Sequence, residues 1–593
     1  MATAKYKQEK WSLDNLYAGF DDPKVQKARD QVEECVKAFE EIRSRLSPDL
    51  SEADFLEVLK DYEELYRLIS RLAYFGFLRF NEDTQDQSAQ TFQAQMQQLA
   101  AEVDNRTLFF KLWWKGLEDE PAERLMKASG DYRYWLEALR LQKPYTLSEP
   151  EEKVINLKDV NGPQALVTLY QSITNRYTYK FEVDGEVKEM TRGELQVYYR
   201  DPNPELRKAA YQELHRVHEQ DEPILGQIYQ YIVRDWRSEQ INLRNYASPI
   251  SVRNISNDVP DEIVDLLLEA CQKNVSIFHR FFNLKARWIG IDRLRRYDIY
   301  APVVKTETTY AFTDAANLVL GSLREFDPKV ADLAQRVFDE HHLDGEVRQG
   351  KRDGAFCATV SPDLTPWVLQ SYQGRPDDVA TLAHEIGHAI HSMLAEHHTA
   401  LTQEASLPLC ETASTFSEML LIDRMLAEDP DPEVQRDLLF RQMDDAYATI
   451  IRQGYFALFE REAHDAIHNG ASVDELSQVY FENIKRQFGE SLDLTDDFSV
   501  EWAEIGHFYF APFYVYAYAF GQLLVLSLYQ QYLQEGESFK PRYLEILAAG
   551  GSDSPIRILE RAGIDIRSAD FWQGGFNVLK TALERLEAIE IVT

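Results

Sequence analysis

Apolar residues recur three and four positions apart through most of this 593-residue chain. Stretches 24–45, 56–80 and 89–114 set the style, with hydrophobic positions at helical spacing among many charges. Ser148 followed by Glu151 reads as a capping box opening a further helix. The pattern changes at 177–191. There Tyr-Lys-Phe-Glu-Val, the pair Asp184-Gly185 and Glu-Val-Lys-Glu-Met-Thr predict a β-hairpin with a two-residue turn. The hairpin suggests a division into 1–190, a helical region ending in the hairpin, and 191–593. Pro202 and Pro204 then punctuate the start of another helix. A second extended region comprises 355–360 and 366–371, separated by Ser361-Pro362-Asp363, and predicts a small sheet. No period of about 20–50 residues repeats, which disfavours a solenoid. The expected fold is mainly α, with little β-structure.

Composition narrows the function classes. A hydrophobic content of 44% is ample for a large core and excludes a disordered chain. The formal net charge of -35 argues against nucleic acid and against an anionic membrane surface. Such acidity serves solubility, and would also attract cationic peptides. Cys35, Cys271, Cys357 and Cys410 show no CxxC spacing, which fits a reducing cytoplasm rather than a disulfide framework. Stretch 1–10 is polar and has no apolar core, so no signal peptide is expected. Stretch 505–534 contains no Asp, Glu, Lys or Arg. His507, Pro512, Gln522 and many tyrosines interrupt it, and flanking basic anchors are missing, so it reads as a buried helix rather than a membrane span.

The chemistry centres on His384-Glu385-Ile386-Gly387-His388. Pro376 suits a first helical turn, and Asp377 and Asp378 complement the helix dipole. Val379, Leu382, Ile386, Ile390 and Met393 form one apolar stripe, and His384, His388 and His391 lie off it together. Two imidazoles four residues apart on a helix can hold one zinc ion, with Glu385 beside it as general base. With 13 His in the chain, chance would produce this motif in about a few per hundred such sequences. His391 shares the face, but three side chains along one straight helix do not converge on one tetrahedral ion. Its two readings are contact with ligands or substrate, and packing. Gly387 costs about 1 kcal/mol relative to Ala in mid-helix, which predicts a close neighbour there, either a helix or substrate.

A catalytic zinc needs a third protein ligand and an open position. Glu404, Glu411 and Glu418 follow at seven-residue intervals. Pro408 separates Glu404 from the next helix, placing Glu411 in that helix's first turn and Glu418 two turns later on nearly the same face. Spacing alone leaves the choice open. Ser414 and Glu418 are candidates to orient a ligand.

The run Thr381-Leu-Ala-His-Glu-Ile-Gly-His-Ala-Ile-His-Ser392, followed by Glu411-Thr-Ala-Ser-Thr-Phe-Ser-Glu418, resembles oligoendopeptidase F, a family of bacterial zinc peptidases related to thimet oligopeptidase. Further matches are Lys351-Arg-Asp-Gly-Ala-Phe-Cys357, Ser371-Tyr-Gln-Gly374, the region from His507, Ala549-Gly-Gly-Ser-Asp553 and the opening Trp11-Ser-Leu-Asp-Asn-Leu-Tyr17. The resemblance spans nearly the whole chain. It implies a large helical two-part body with a deep substrate channel, a catalytic domain over 191–593, one Zn2+ per chain and Glu411 as third ligand. It also implies short peptides as substrates. The expected activity is endopeptidase cleavage, with the oligomeric state open.

Oxyanion donors are sought in the tyrosine-rich segment. If the chain from His507 is helical, His507, Tyr514 and Tyr518 share one face, whereas Tyr509 and Tyr516 fall elsewhere. The resemblance implies a His and tyrosines of this region in substrate binding and in stabilising the tetrahedral intermediate. The edge of the 355–371 sheet could pair with a peptide, or be an ordinary structural hairpin. Gly550-Gly551-Ser552 lacks the GxxxxGK[ST] pattern and reads as a loop bordering the cleft. Two alternatives accompany the endopeptidase. A dipeptidyl carboxypeptidase would need a cationic pocket for the substrate carboxylate, and no Lys or Arg of the motifs identifies one. A catalytically silent peptide-binding protein would have lost Glu385 or a ligand, and all are present.

Overall fold

The computed structural model describes residues 5–303, 309–428 and 431–589, so the first four residues of the polar stretch 1–10 lie outside them. Helices carry most of the chain, and strands are confined to two sheets of two strands and one of three. The mainly α expectation holds. The early helices run Pro23–Ile42, Glu52–Glu82 and Gln87–Gly116, each opened by a side-chain cap from Asp22, Ser51 and Asp86 respectively. The Ser148–Glu151 capping box opens Glu149–Asp159.

Two compact units result, each assembled from three segments. The first comprises Met1–Lys143, Glu307–Asp429 and Gln531–Asp565; the second comprises Pro144–Thr306, Pro430–Gln530 and Ile566–Thr593. The hairpin pairs Tyr179–Val183 with Glu186–Met190, and Asp184 and Gly185 take the positive φ values of 55° and 81° that a tight primed turn requires. It lies inside the second unit, not at the edge of one. Its inward residues Tyr179, Phe181 and Met190 pack with Leu195, Ala210, Leu214 and Val217 further along the chain. That apolar contact ties it forward, so the units do not follow a cut at 190/191.

In the first unit, Trp11, Leu13, Leu16 and Tyr17 pack with Phe75, Trp367 and Leu369 in one core cluster. The three-stranded sheet places Trp367–Gln370 in the centre, antiparallel to Ala355–Ala358 and parallel to the short Leu343–Asp344. Both runs expected as strands are therefore strands, and Ala355–Ala358 is an edge. Lys351 fixes the chain just before that edge. Its ammonium is fully buried and donates to Asp344 Oδ1 and to the carbonyls of Asp344, Glu346 and Gln370 at 2.8–2.9 Å. Burial lowers its pKa, and the charge of Asp344 opposes that shift.

The motif helix Pro376–Leu394 follows the sheet. The Asp378 carboxylate accepts the backbone N–H groups of Gln373 (2.8 Å) and Arg375 (3.0 Å), closing the first turn. At Gly387 the close neighbour is backbone: a Cβ there would lie 2.5 Å from Ser414 Cα and 2.7 Å from the Ala413 carbonyl oxygen. The segment entering the helix Ser414–Glu428 thus rests directly on the motif helix.

In the second unit, Pro204–Trp236 and Asp261–Trp288 are long helices, the first capped by Asn203 with Pro204 in its opening turn. Buried ion pairs recur here. Lys285 donates to both oxygens of Asp444 at 2.8 Å, and Arg207 donates to Asp298 at 2.8 and 3.0 Å. The uncharged stretch 505–534 is not one helix. It forms the single turn His507–Phe510, a corner at Pro512-Phe513, and the helix Tyr516–Glu535, whose central residues Leu523 to Tyr529 are all buried. No helix among the described residues is long and apolar enough to cross a membrane.

The corner is held from below. Phe513 has φ of 57°, and its N–H donates to Glu460 at 2.8 Å. The other Glu460 oxygen is buried without a hydrogen-bond partner. Burial raises this carboxyl from 4.5 to about 8, against a smaller lowering from the Phe513 N–H.

Two outcomes are expected. Gly387→Ala gains about 1 kcal/mol of helix propensity but overpacks against fixed backbone at a cost of about 1–3 kcal/mol. The urea midpoint should fall; an unchanged or higher midpoint would refute the tight approach. Glu460 stays protonated in the fold at pH values where the unfolded carboxyl has ionised. Its contribution is therefore complete below about 4.5 and is lost as pH rises through about 8. Glu460→Gln, which keeps a neutral acceptor, should flatten the decline in unfolding free energy between those values. Parallel pH profiles for both proteins would count against it.

Candidate active site

His384 and His388 project from successive turns of the motif helix, with Nε2 atoms 3.1 Å apart. Glu411 Oε2 completes a triangle, 3.3 Å from His384 Nε2 and 3.4 Å from His388 Nε2. Among the described residues, these three side chains form a group whose ligand atoms could meet on one metal ion. Glu411 lies three residues ahead of the helix Ser414–Glu428, not in its first turn as expected. The chain there remains a turn in which the Thr415 N–H bonds the Glu411 carbonyl at 3.2 Å. The Ser414 hydroxyl donates to Glu411 Oε2 at 2.7 Å and fixes that carboxylate.

Glu418 has a different task. His384 Nδ1–H donates to Glu418 Oε1 at 2.5 Å, so that in the neutral ring the Nε2 lone pair faces His388 and Glu411. Glu411 and Glu418 thus address the two nitrogens of one imidazole, and Ser414 and Glu418 both orient members of the triangle. Burial lowers the pKa of His384, but the Glu418 hydrogen bond and the carboxylates of Glu418, Glu411 and Glu385 outweigh it and hold it at about 9. Burial and His384 push His388 down to about 4, against the pull of Glu411. Burial opposes ionisation of Glu411, yet the two imidazoles and Ser414 keep its pKa below the ordinary value.

The donor set fits a small divalent cation. Ligands about 2.05 Å from a tetrahedral ion stand roughly 3.3 Å from one another, and the three separations here run from 3.1 to 3.4 Å. An oriented lone pair, a second imidazole nitrogen and a carboxylate oxygen converge, which is an arrangement that a cation neutralises.

Glu385, only 7% exposed, lines a cavity of about 500 Å³ within the first unit together with His388, His391, Cys357, Glu404 and Cys410. Burial raises its pKa to about 7, His384 pulls it down, and Glu411 and Glu418 push it up. The backbone N–H of Cys357, on the edge strand, bonds the same carboxylate and lowers its pKa slightly. A carboxyl poised near neutrality can both take up and release a proton. His391 lines the cavity without joining the donor triangle, and burial holds its pKa near 4. Glu404 faces the cavity too, apart from the triangle. Cys357 and Cys410 do lie beside the site, and burial pushes both thiols up, Cys410 to about 12. They are poor nucleophiles there.

Sequence reasoning missed Tyr74 and Phe77, which line this cavity from the helix Glu52–Glu82. Nothing in their spacing distinguishes them from core residues. Gly550 and Gly551 back the cavity wall, since a Cβ on either would strike the carbonyl of Gln403 or Glu404, and Gln403 and Glu404 are lining residues.

His507, Tyr514 and Tyr518 belong to the second unit. The continuous helix expected to align them is broken at Pro512-Phe513, yet the three rings gather. Tyr518 Oη is 3.3 Å from His507 Nε2, and the Tyr514 ring centroid is 5.3 Å from that of Tyr518. Arg253 supports the corner by donating to the Pro512 carbonyl at 3.4 Å and by lying over the Tyr514 ring. Tyr509 and Tyr516 fall elsewhere as expected: Tyr509 stacks on Tyr170, and Tyr516 accepts from Asn257.

Comparison with known proteins agrees with the motifs. Group B oligopeptidase PepB of Streptococcus agalactiae is 26% identical over 547 residues, covering 91% of this chain and 90% of that protein. Oligopeptidase PepF of Bacillus subtilis is 24% identical over 595 residues, covering 98% and 87%. The fold matches the crystal structure of a Chlamydophila abortus protein (TM-score 0.88, 24% identity, 98% of both chains). It also matches oligoendopeptidase-F from Enterococcus faecium (TM-score 0.70, 22% identity, 95% and 98%). An oligopeptidase F profile matches residues 113–179. The resemblance to oligoendopeptidase F is thereby borne out. The profile of peptidase family M3 matches residues 197–578, and the chain belongs to that family.

Proposed function

We propose that this peptidase is a zinc-dependent endopeptidase that hydrolyses internal bonds of short oligopeptides, with 191–593 as its catalytic region. The observation that carries the reading is the triangle of His384, His388 and Glu411 beside the buried Glu385. When bound by those three residues, zinc supplies a Lewis acid that lowers the pKa of water toward ~7 and polarises the scissile carbonyl. Glu385 takes a proton from the attacking water and hands it to the leaving amine. Its position in a cavity wall and its pKa near neutrality support both halves of that task. Glu418 holds His384 in the tautomer that presents Nε2, and Ser414 holds Glu411.

His507, Tyr514 and Tyr518 are proposed to bind substrate and donate to the oxyanion. Burial lowers the pKa of His507 and so disfavours a charged ring, and an imidazole N–H can serve as a donor. The Ala355–Ala358 edge supports a second assignment. A peptide paired to it would be held by backbone hydrogen bonds with weak side-chain selectivity. Four free cysteines fit the reducing cytoplasm that we propose as its compartment.

Purified protein should contain one zinc per chain and lose hydrolysis of quenched peptides on chelation. Glu385→Gln should keep its zinc and lose about 10²–10⁴-fold in turnover; normal turnover would remove Glu385 from the mechanism. Glu411→Ala should lose zinc outright, whereas Glu418→Gln should weaken it by about 10–100-fold. The reverse order in a zinc competition assay would exchange their roles. Digestion of a mixed-length peptide library should yield internal cuts confined to short members, and release of C-terminal dipeptides alone would favour a dipeptidyl carboxypeptidase.

A further inference from the structure

The second unit contains a cavity of about 650 Å³ whose walls include Arg192, Arg200, Arg452, Tyr199, Tyr300 and His507. Its charge runs against the rest of the molecule. The chain carries a net -35, yet here guanidiniums outnumber carboxylates. Arg452 and the buried Arg296 share Glu501, at 3.4 and 2.5 Å. Arg192 donates to Glu504 at 3.3 Å. Arg200 has no carboxylate within 4.0 Å among the described residues; its guanidinium lies 5.8 Å from the centroid of the Tyr300 ring. Glu501 and Glu504 pair with the other three guanidiniums, and Asp444, held by Lys285, acts on Arg200 only at longer range, so the exposed Arg200 has no carboxylate of its own.

The walls are also short of acceptors. Tyr199 Oη, Tyr300 Oη and the Nε atoms of Arg192 and Arg452 are buried without a hydrogen-bond partner. These unmatched donors sit behind the lining and add to the positive potential of the wall. Gln196 and Gln453 add amides to the lining. An excess of positive charge, a planar five-donor fork with no carboxylate in ion-pair reach and a cavity wide enough for several atoms together describe a receptor for a planar anion. His507 stands in the same wall and also contacts Tyr518.

We infer that this cavity binds a carboxylate of the peptide substrate, with the exposed guanidinium of Arg200 as its principal partner. The inference rests on the proposed peptidase reading only for the identity of the ligand as a peptide. The carboxylate has two sources, the substrate's C-terminus and an Asp or Glu side chain. Arg200 would then set specificity without touching the reacting atoms.

The test uses zinc-loaded Glu385→Gln protein and fluorescent peptides of one length, read by anisotropy. One pair ends in a free acid or an amide, and a second amidated pair carries an internal Glu or Gln. One charge-assisted contact predicts a preference of about ten-fold for the carboxylate member of at least one pair. Adding Arg200→Gln should shrink that preference to within about two-fold, and Arg200→Lys should retain part of it. In otherwise wild-type enzyme, Arg200→Gln should raise KM for the favoured peptide much more than it lowers kcat. Collapse in the first pair assigns the C-terminus, and collapse in the second assigns the side chain. Absence of a preference in both pairs, or a preference that survives Arg200→Gln in protein with an unchanged Tm, overturns the proposal. If wild-type enzyme cuts no amidated peptide while the binding preference still collapses, the endopeptidase reading fails and the carboxylate site stands.

Discussion

The close approach between the motif helix at Gly387 and the backbone at Ala413–Ser414 sets how Glu411 and Glu418 meet His384 and His388 in the candidate active site. His384 and His388 are fixed by one helix, but Glu411 and Glu418 arrive from another segment. Whether the four side chains meet depends on how near two backbones come. Removing one Cβ lets them touch, and the carboxylates of Glu411 and Glu418 then come within 2.5–3.4 Å of the imidazole nitrogens. Tyr543, which donates to the Thr412 carbonyl at 2.9 Å, braces the same segment from its other side. The cost of glycine in mid-helix is the cost of that approach.

Much of this was legible in the chain. Helical spacing located the three early helices, and the pair Asp184-Gly185 located a turn that needs two positive φ values. The HExxH spacing is a statement about helix geometry, so it survived folding unchanged. Other features were hidden because they depend on contacts distant in sequence. The role of Glu418 could not be separated from that of Glu411 until the ring of His384 showed which nitrogen each one faces. Tyr74 and Phe77 look like any aromatic residues on an amphipathic helix. Extrapolating a helix through Pro512 failed locally but reached the right grouping, because the corner held by Glu460 restores the meeting of His507, Tyr514 and Tyr518.

The two described cavities have opposite electrostatics. In the first unit, carboxylates crowd around two imidazoles and raise the pKa of His384, and burial followed by Glu411 and Glu418 raises that of Glu385. Such a site favours positive charge at its centre. In the second, arginines share too few acids, and the surplus favours negative charge. A peptide carries both kinds of group, a polarised carbonyl to be attacked and carboxylates at its end and along its side chains. The fold keeps the two environments on separate scaffolds, each stiffened by buried ion pairs or close backbone contacts.

Each unit is drawn from three separated stretches, and this bears on how the protein is made. The helices of the first 143 residues share their unit with the segments that carry His384, His388 and Glu411 and with Gln531–Asp565. A chain leaving the ribosome N-terminus first therefore carries that early layer for 422 further residues before its last partner segment is complete. At about 5–20 residues per second this is roughly 20–85 s. During that interval apolar faces meant for later segments stand open, and the donors of the triangle lack the packing that brings them together. A nascent chain of this kind is a natural client for holding chaperones.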